Sequence, residues 1–371
     1  MPENTLSAAR TDPGKLNLIG LAGRDLEDFF GSLDERPYRA RQLLGWLYQR
    51  DVLDFRRMTD ISLRLRERLE LIASLALPDV IREERSVDGT RKWLIDVGAG
   101  QAVESVFIPE PGRSTLCISS QAGCAMDCSF CATGKQGFNR NLTAAEILGQ
   151  VLIARRALGA DTPLTNIVFM GMGEPLANYR NVIPVVKLLI DDCAFGLSRR
   201  RVTISTAGLV PQIRRLSEDC NVALAVSLHA PHDSLRDELV PINRRHPIAE
   251  LLEACWQYAD CLASRQVTFE YAMLRDVNDD VSHARALGHL LRGRPAKVNL
   301  IPFNAFPGTR YECSSSAKID EFCNALRAAG VFATIRKTRG DDIAAACGQL
   351  AGQVKDRTLS RLGAKLTRVT N

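Results

Sequence analysis

Cys124, Cys128 and Cys131 stand close together in the run Gly123-Cys124-Ala125-Met126-Asp127-Cys128-Ser129-Phe130-Cys131. Three thiolates on one loop can hold an iron–sulfur cluster by three corners. A [4Fe–4S] cluster ordinarily takes four thiolates, so three leave one iron open to a small ligand. A structural zinc site is the other metal reading. It usually needs paired Cys-x-x-Cys or Cys/His ligands in a closed tetrahedron, and no fourth Cys or His lies nearby in sequence. Three unrelated buried cysteines would not explain a polar, glycine-flanked loop. A second candidate is Cys347, in the small-residue stretch Ala344-Ala345-Ala346-Cys347-Gly348 after the basic Lys337 and Arg339. Small residues let the backbone approach something closely. A thiol there is either reactive or a small buried hydrophobe.

Those residues need elements to position them, and the chain supplies an alternation of strand and helix. Thr115 to Ile118, Asn166 to Met170, Val202 to Ser205, Val222 to Leu228, Val267 to Met273 and Val298 to Ile301 read as short buried strands. Helical patterns separate them: Val182 to Ile190, Pro211 to Leu216, Ile248 to Cys261, Val281 to Leu291 and Ile319 to Ala329. Thr143-x-x-Glu146 is a capping box that opens another. About six β–α units imply an α/β fold with a parallel sheet and right-handed crossovers, too few for a closed eight-fold barrel. A partial (β/α)6 barrel follows. The cysteine loop, Gly171-Met172-Gly173-Glu174-Pro175, Ser205, Ser227-Leu228-His229 and Asn304 all fall after strands, at the mouth where barrel enzymes keep their sites.

Upstream, residues 16–80 read as a helical accessory module, with Tyr38 to Tyr48 and Ile61 to Leu71 as its clearest helices and arginine frequent throughout. Acidic residues are interspersed, so a solvated surface competes with a nucleic-acid face. A β-hairpin linker is expected over 81–112, with turns at Val87-Asp88-Gly89-Thr90 and Gly98-Ala99-Gly100. The barrel then runs over 113–337, a C-terminal segment over 338–371, and a flexible N-terminus over 1–15. A net charge of +5 (48 Lys+Arg against 43 Asp+Glu) is weak evidence for RNA. Local sets such as Arg199-Arg200-Arg201, Arg214-Arg215, Arg244-Arg245 and Arg336-Lys337 are better candidates for phosphate contacts. With no apolar run long enough to span a membrane, no signal peptide and eleven cysteines, a reducing cytoplasm is expected.

The cysteine loop resembles that of radical S-adenosylmethionine (SAM) enzymes. Taken in order with Gly-Met-Gly-Glu-Pro, Ser227-Leu228-His229-Ala230-Pro231, Val240-Pro241-Ile242-Asn243, Arg339-Gly340-Asp341-Asp342 and Ala346-Cys347-Gly348-Gln349, it is similar to the bacterial radical-SAM dual-specificity rRNA and tRNA adenine-C2 methyltransferases. That resemblance implies a [4Fe–4S] cluster on Cys124, Cys128 and Cys131, with SAM on its open iron. It implies SAM contacts at Gly173, Glu174, Ser205, Ser227, Leu228, His229 and Asn304. It further implies a methyl carried on Cys347, a transient disulfide between Cys347 and Cys117, and Glu104 as acceptor of the C2 proton. The substrates it implies are 23S rRNA and some tRNAs, the electron donor a flavodoxin or ferredoxin, and the enzyme a monomer.

Three other readings compete. A C8-methylating relative, associated with resistance to ribosome-targeting antibiotics, shares the same cysteines. A radical-SAM enzyme on a non-RNA substrate would not need the arginine-rich module or the second thiol pair. A zinc-stabilised RNA-binding protein would have no cluster at all. The remaining cysteines, Cys193, Cys220, Cys255, Cys261, Cys313 and Cys323, show no ligand spacing and are expected in packing.

Overall fold

The computed structural model describes residues 14–262 and 266–355. Most of the expected N-terminal tail (1–13) and the end of the C-terminal segment (356–371) lie outside the described residues. The chain begins with a helical module in which β1 (Leu16–Asn17) and β2 (Ala73–Ser74) pair in parallel around α1 (Gly23–Gly31), α2 (Tyr38–Leu44) and α3 (Leu63–Ile72). The expected second helix continues past Leu44 as a wider turn over Gly45–Gln49. Apolar residues four apart, Leu26 and Phe30 on α1 and Leu65 and Leu69 on α3, point one way and are buried, as amphipathic helices require.

Four antiparallel strands follow: β3 (Val80–Arg85), β4 (Arg91–Asp96), β5 (Ala102–Glu110) and β6 (Arg113–Cys117). The turns lie where the glycines placed them, at 86–90 and 97–101. These strands are not a free-standing linker. β6 pairs in parallel with β9 (Asn166–Phe169), so the meander extends the barrel sheet itself. Between β6 and β9 come a small hairpin of β7 (Gln121–Gly123) and β8 (Phe138–Asn141), the one-turn helix α4 (Ala132–Lys135) and α5 (Ala144–Leu158). Neither α4 nor this hairpin has a sequence pattern long enough to read. The capping box of α5 is formed: Glu146 N–H donates to Thr143 Oγ1 at 3.2 Å and Thr143 N–H to Glu146 Oε2 at 2.8 Å.

From β9 the alternation holds. α6 (Tyr179–Ile190), β10 (Val202–Thr206), α7 (Val210–Asp219), β11 (Ala223–Ser227), α8 (Asp233–Leu239), α9 (Ile248–Asp260), β12 (Val267–Met273), α10 (Val281–Leu291), β13 (Ala296–Pro302), α11 (Ser316–Ala328) and β14 (Phe332–Ile335) complete it. The sheet has ten strands in the order β14-β13-β12-β11-β10-β9-β6-β5-β4-β3, parallel from β14 to β6 and open at both edges. It therefore holds six β–α units and one parallel strand more than expected. That strand, β14, escaped because it is short and at an edge, with Phe332 and Ile335 exposed instead of buried in an apolar run.

Each strand sorts its side chains by face. On β10, Val202 and Ile204 are buried, while Thr203 and Ser205 line cavities. One continuous apolar core includes Phe30 and Leu47 of the module and Val151, Phe169 and Phe269 of the barrel. Truncating a fully buried ring such as Phe269 to Ala costs about 3–5 kcal/mol by the usual core behaviour. The module is also fastened by polar contacts. Arg155 of α5 donates to Tyr48 O and to Asp51 Oδ1, the latter at 2.7 Å, and Tyr48 stacks on Phe195 with ring centroids 5.1 Å apart. Among the described residues no helix is long and apolar enough to cross a membrane.

Candidate active site

The three clustered cysteines hang from the β7–β8 hairpin. Cys124 N–H donates to Gly137 O at 2.7 Å. Gly123 sits at φ 77° with Gly137 O where a Cβ would stand, so only glycine closes this turn. Ser129 N–H donates to Leu239 O at 3.1 Å, and Ser129 Oγ meets Tyr311 Oη at 2.9 Å. These contacts leave the three thiols side by side on one wall of a cavity of about 150 Å³. Burial pushes the Cys124 thiol up to about 12, and raises those of Cys128 and Cys131 as well. Each thiol also feels the others, so a metal must displace their protons to bind. Among the described residues no three His, Cys, Asp or Glu side chains converge as ligands of a single metal ion. Three thiols around a shared space suit a polynuclear cluster better than a closed zinc tetrahedron.

The same cavity is also lined by Gly173, Glu174, Ser205, Ser227, His229 and Asn304. Gly173, at φ 96°, lies against Gln121, where a Cβ has no room. Glu174 accepts Leu176 N–H at 3.0 Å and Ala207 N–H at 2.7 Å. Burial nonetheless raises its carboxyl to about 7. His229, itself at φ 58°, accepts Ala272 N–H on Nδ1 at 2.9 Å. Burial, reinforced by Arg236, lowers it to about 3. The imidazole is thus neutral with its proton on Nε2, and it packs on Phe130 at 4.4 Å between centroids. Leu228 differs from expectation. It does not line the cavity: its side chain is in the core, its N–H donates to Glu270 O and its carbonyl accepts Arg236. A hydrophobic residue between two cavity-facing neighbours on one strand end must point the other way.

A second cavity, of about 470 Å³, runs through the barrel interior. Cys117, at the end of β6, lies in its wall, and Cys347 lies in the walls of both cavities. Glu270, Arg336 and Asn304 share that position. Asn304 Nδ2 donates to Cys347 O at 3.3 Å, and Ala132 N–H of the cysteine loop donates to Gly348 O at 2.9 Å. Thr133 Oγ1 adds a bond to Leu350 O at 2.6 Å. The two cysteine-bearing loops are therefore joined directly. Burial pushes Cys117 up to about 12 against the opposing pull of the Arg336 guanidinium. Arg336, expected among the phosphate ligands, instead faces the thiols. The adjacent Lys337 is exposed, as are Arg199, Arg200, Arg201, Arg214, Arg215, Arg244 and Arg245. Glu270 and Arg336 carried no motif; only their strand positions could have marked them.

Glu104 lies in neither cavity. It is buried, pairs with Lys92 Nζ at 3.2 Å, and accepts Ala351 N–H at 2.8 Å and Gly352 N–H at 3.2 Å. Its carboxylate is committed to holding the loop that follows Cys347. As a proton acceptor it would need that loop to lift away. Of the other cysteines, Cys220, Cys255 and Cys323 are buried and Cys193 and Cys313 half-buried, in keeping with packing. Cys261 is exposed, because it caps α9 at the surface.

An open parallel barrel with three cluster thiols at its mouth defines a radical SAM enzyme. The sequence pattern of the radical SAM superfamily matches residues 118–287, and that of the ribosomal RNA large subunit methyltransferase N-terminal domain matches residues 16–75. Dual-specificity RNA methyltransferase RlmN of Francisella tularensis subsp. novicida is 54% identical over 93% of this chain and 95% of its own. The RlmN of Alkalilimnicola ehrlichii is 55% identical over 92% and 96%. A crystal structure of a radical SAM methyltransferase from Sphaerobacter thermophilus superposes with a TM-score of 0.84 at 46% identity, covering 90% of this chain and 99% of that one. The chain belongs to the RlmN family. Its cofactors are accordingly a [4Fe–4S] cluster and SAM.

Proposed function

We propose that this enzyme moves a one-carbon unit from SAM to C2 of adenine in 23S rRNA and in some tRNAs, with Cys347 as the carrier. The observation that carries this reading is the position of Cys347 in the wall between two cavities. One side holds Cys124, Cys128, Cys131 and the residues expected to contact SAM; the other holds Cys117.

When bound, the cluster on Cys124, Cys128 and Cys131 supplies the electron that cleaves SAM to a carbon radical able to take hydrogen from a methyl group. The chain's own residues do the rest. The Cys347 thiolate takes the methyl of another SAM, with S-adenosylhomocysteine as the leaving group, and holds it as a thioether. Adenine C2, between two ring nitrogens, is too electron-poor to attack a sulfonium, so the carbon must arrive as a radical on the Cys347 sulfur. The Cys117 thiolate then attacks that sulfur. Before that attack the adenine adduct loses its C2 proton to a base and one electron to the flavodoxin or ferredoxin carrier; in the attack the S–C bond breaks, an S–S bond forms, and the carbon leaves on the adenine and gains a proton. Arg336 faces both thiols and favours the charged form of Cys117. A thiol reductant reopens the pair for the next cycle.

The arginine-rich helical module is assigned to RNA binding, and a flavodoxin or ferredoxin to electron delivery, in a monomer working in the cytosol where its RNA substrates are made. The experiment is nucleoside mass spectrometry of rRNA and tRNA from a deletion strain, before and after complementation. Loss of 2-methyladenosine from both RNAs supports the reading; loss of an 8-methyl isomer assigns the C8 reaction, and no change overturns both. Peptide mass spectrometry of the purified protein should find the carrier methyl on Cys347.

A further inference from the structure

Arg236, on α8, has no exposed surface at all. Its guanidinium donates to Ala207 O at 2.7 Å, Ser227 O at 2.9 Å, Leu228 O at 3.2 Å and Asn243 Oδ1 at 2.8 Å. All four acceptors are uncharged. The carboxylates that act on it electrostatically, Asp233 and Asp237, are not hydrogen-bonded to it and are held by the other end of the same amide, Asn243 Nδ2, at 3.0 and 2.6 Å. Removing a guanidinium from water is costly even after relaxation, so a buried cation hydrogen-bonded only by neutral groups calls for an anion. Burial lowers it only to about 10, so it stays charged at neutral pH. Cys128 of the cluster loop lies within its electrostatic reach, as does the buried Cys255. Ser227 and Ala207, whose carbonyls it holds, line the same cavity as the three thiols.

We propose that Arg236 is the internal counter-charge of the iron–sulfur cluster, a fixed cation that favours the reduced state and so sets the potential at which the site accepts its electron. The proposal rests on the radical SAM assignment of the three thiols. A cluster on three thiolates is anionic in both oxidation states and gains one further negative charge on reduction. A cation fixed beside it in a poorly polarisable interior stabilises the more negative state more. Arg236 is also a scaffold, tying the ends of β10 and β11 to α8, and the test must separate charge from scaffold.

Wild type, Arg236→Lys and Arg236→Gln are reconstituted anaerobically without SAM and titrated with dithionite while the reduced cluster is followed by EPR; thermal melts are recorded in parallel. A wild type that binds no iron and sulfide would remove the radical SAM assignment itself and is read first. Both variants lose hydrogen bonds, so both should melt lower. Only the Gln variant loses the charge. At the wild-type midpoint its reduced-to-oxidised ratio should fall about tenfold, which is about 59 mV for a one-electron couple, while the Lys variant stays close to wild type. A Gln variant with the wild-type potential overturns the proposal. If the Gln variant takes up no cluster, uptake by the Lys variant supports a need for charge, and failure of both assigns Arg236 to the scaffold alone and overturns it.

Discussion

Cys347 and Cys117 line one cavity without being joined in a disulfide, and this arrangement gives the sharpest test at the level of single residues. In Cys117→Ala, methylation of Cys347 and addition to adenine need nothing that was removed. The product has no thiolate to release it, so protein should accumulate covalently bound to RNA, visible as a shifted band on a denaturing gel and lost when Cys347 is also changed. Normal multiple turnover by Cys117→Ala would refute the paired-thiol mechanism. The same step carries a pH signature. Because burial holds Cys117 near 12, its thiolate is scarce at neutral pH and grows about tenfold per pH unit. Release of product in a single turnover should accelerate accordingly between roughly pH 7 and 9. Arg336→Met, which removes the opposing positive charge, should slow release at every pH in that range, and an unchanged rate would exclude Arg336 from the step. The loop of Cys124, Cys128 and Cys131 was legible because cluster ligation fixes its spacing, whereas the pairing of Cys117 with Cys347 came only from the resemblance. Arg336 was grouped with Lys337 because the two make a charge pair on paper, whereas successive residues of an extended segment face opposite ways.

At the level of elements, the carrier loop is a span tied at both ends. Asp342 accepts Ser86 Oγ and Val87 N–H, Lys92 Nζ donates to Ile343 O, and Gln353 and Ala102 exchange a pair of backbone bonds at 2.8 and 2.9 Å. Glu104 secures Ala351 and Gly352, just before the tie at Gln353. Glu104→Gln leaves Lys92 paired only with Glu84 at 3.1 Å and weakens the hold on two amides. Breaking such a buried pair costs about 3–5 kcal/mol, reduced here by the remaining carboxylate. Hydrogen exchange at Ala351 and Gly352 should accelerate, and methylation of Cys347 should fall. If Glu104 is instead the proton acceptor, the variant should methylate Cys347 normally and stall after addition to adenine. The two outcomes separate anchor from base. The base role came only from the resemblance, and the anchoring does not show in the sequence, where Glu104 sits within a largely apolar strand and the amides it holds lie 247 and 248 residues away. The barrel strands were legible because burial on both faces writes them as β-branched runs. The short hairpin that carries the cysteine loop was not, since its pairing is set by tertiary contact.

For the whole molecule, the helical module and barrel share one core, so deleting the module would expose apolar surface on both. Its RNA role is better tested on the surface. Replacing the exposed Arg36, Arg41, Arg57 and Arg64 by Gln should weaken RNA binding and flatten its salt dependence by up to about 0.7–0.9 in log–log slope per lost phosphate contact, with SAM binding unchanged. Unaltered RNA affinity would give the module another task. The bond between Ala102 and Gln353 has a consequence of a different kind, concerning the order in which the chain is made. A ribosome delivers the meander and the cluster loop first, and every barrel strand before the carrier. A nascent chain complete through β14 can already fold around Cys124, Cys128 and Cys131 yet has no sulfur on which to load a methyl group. The span with Cys347 is made after the strands onto which it is stitched, so on the proposed mechanism the chain can modify RNA only once residues beyond β14 have been added.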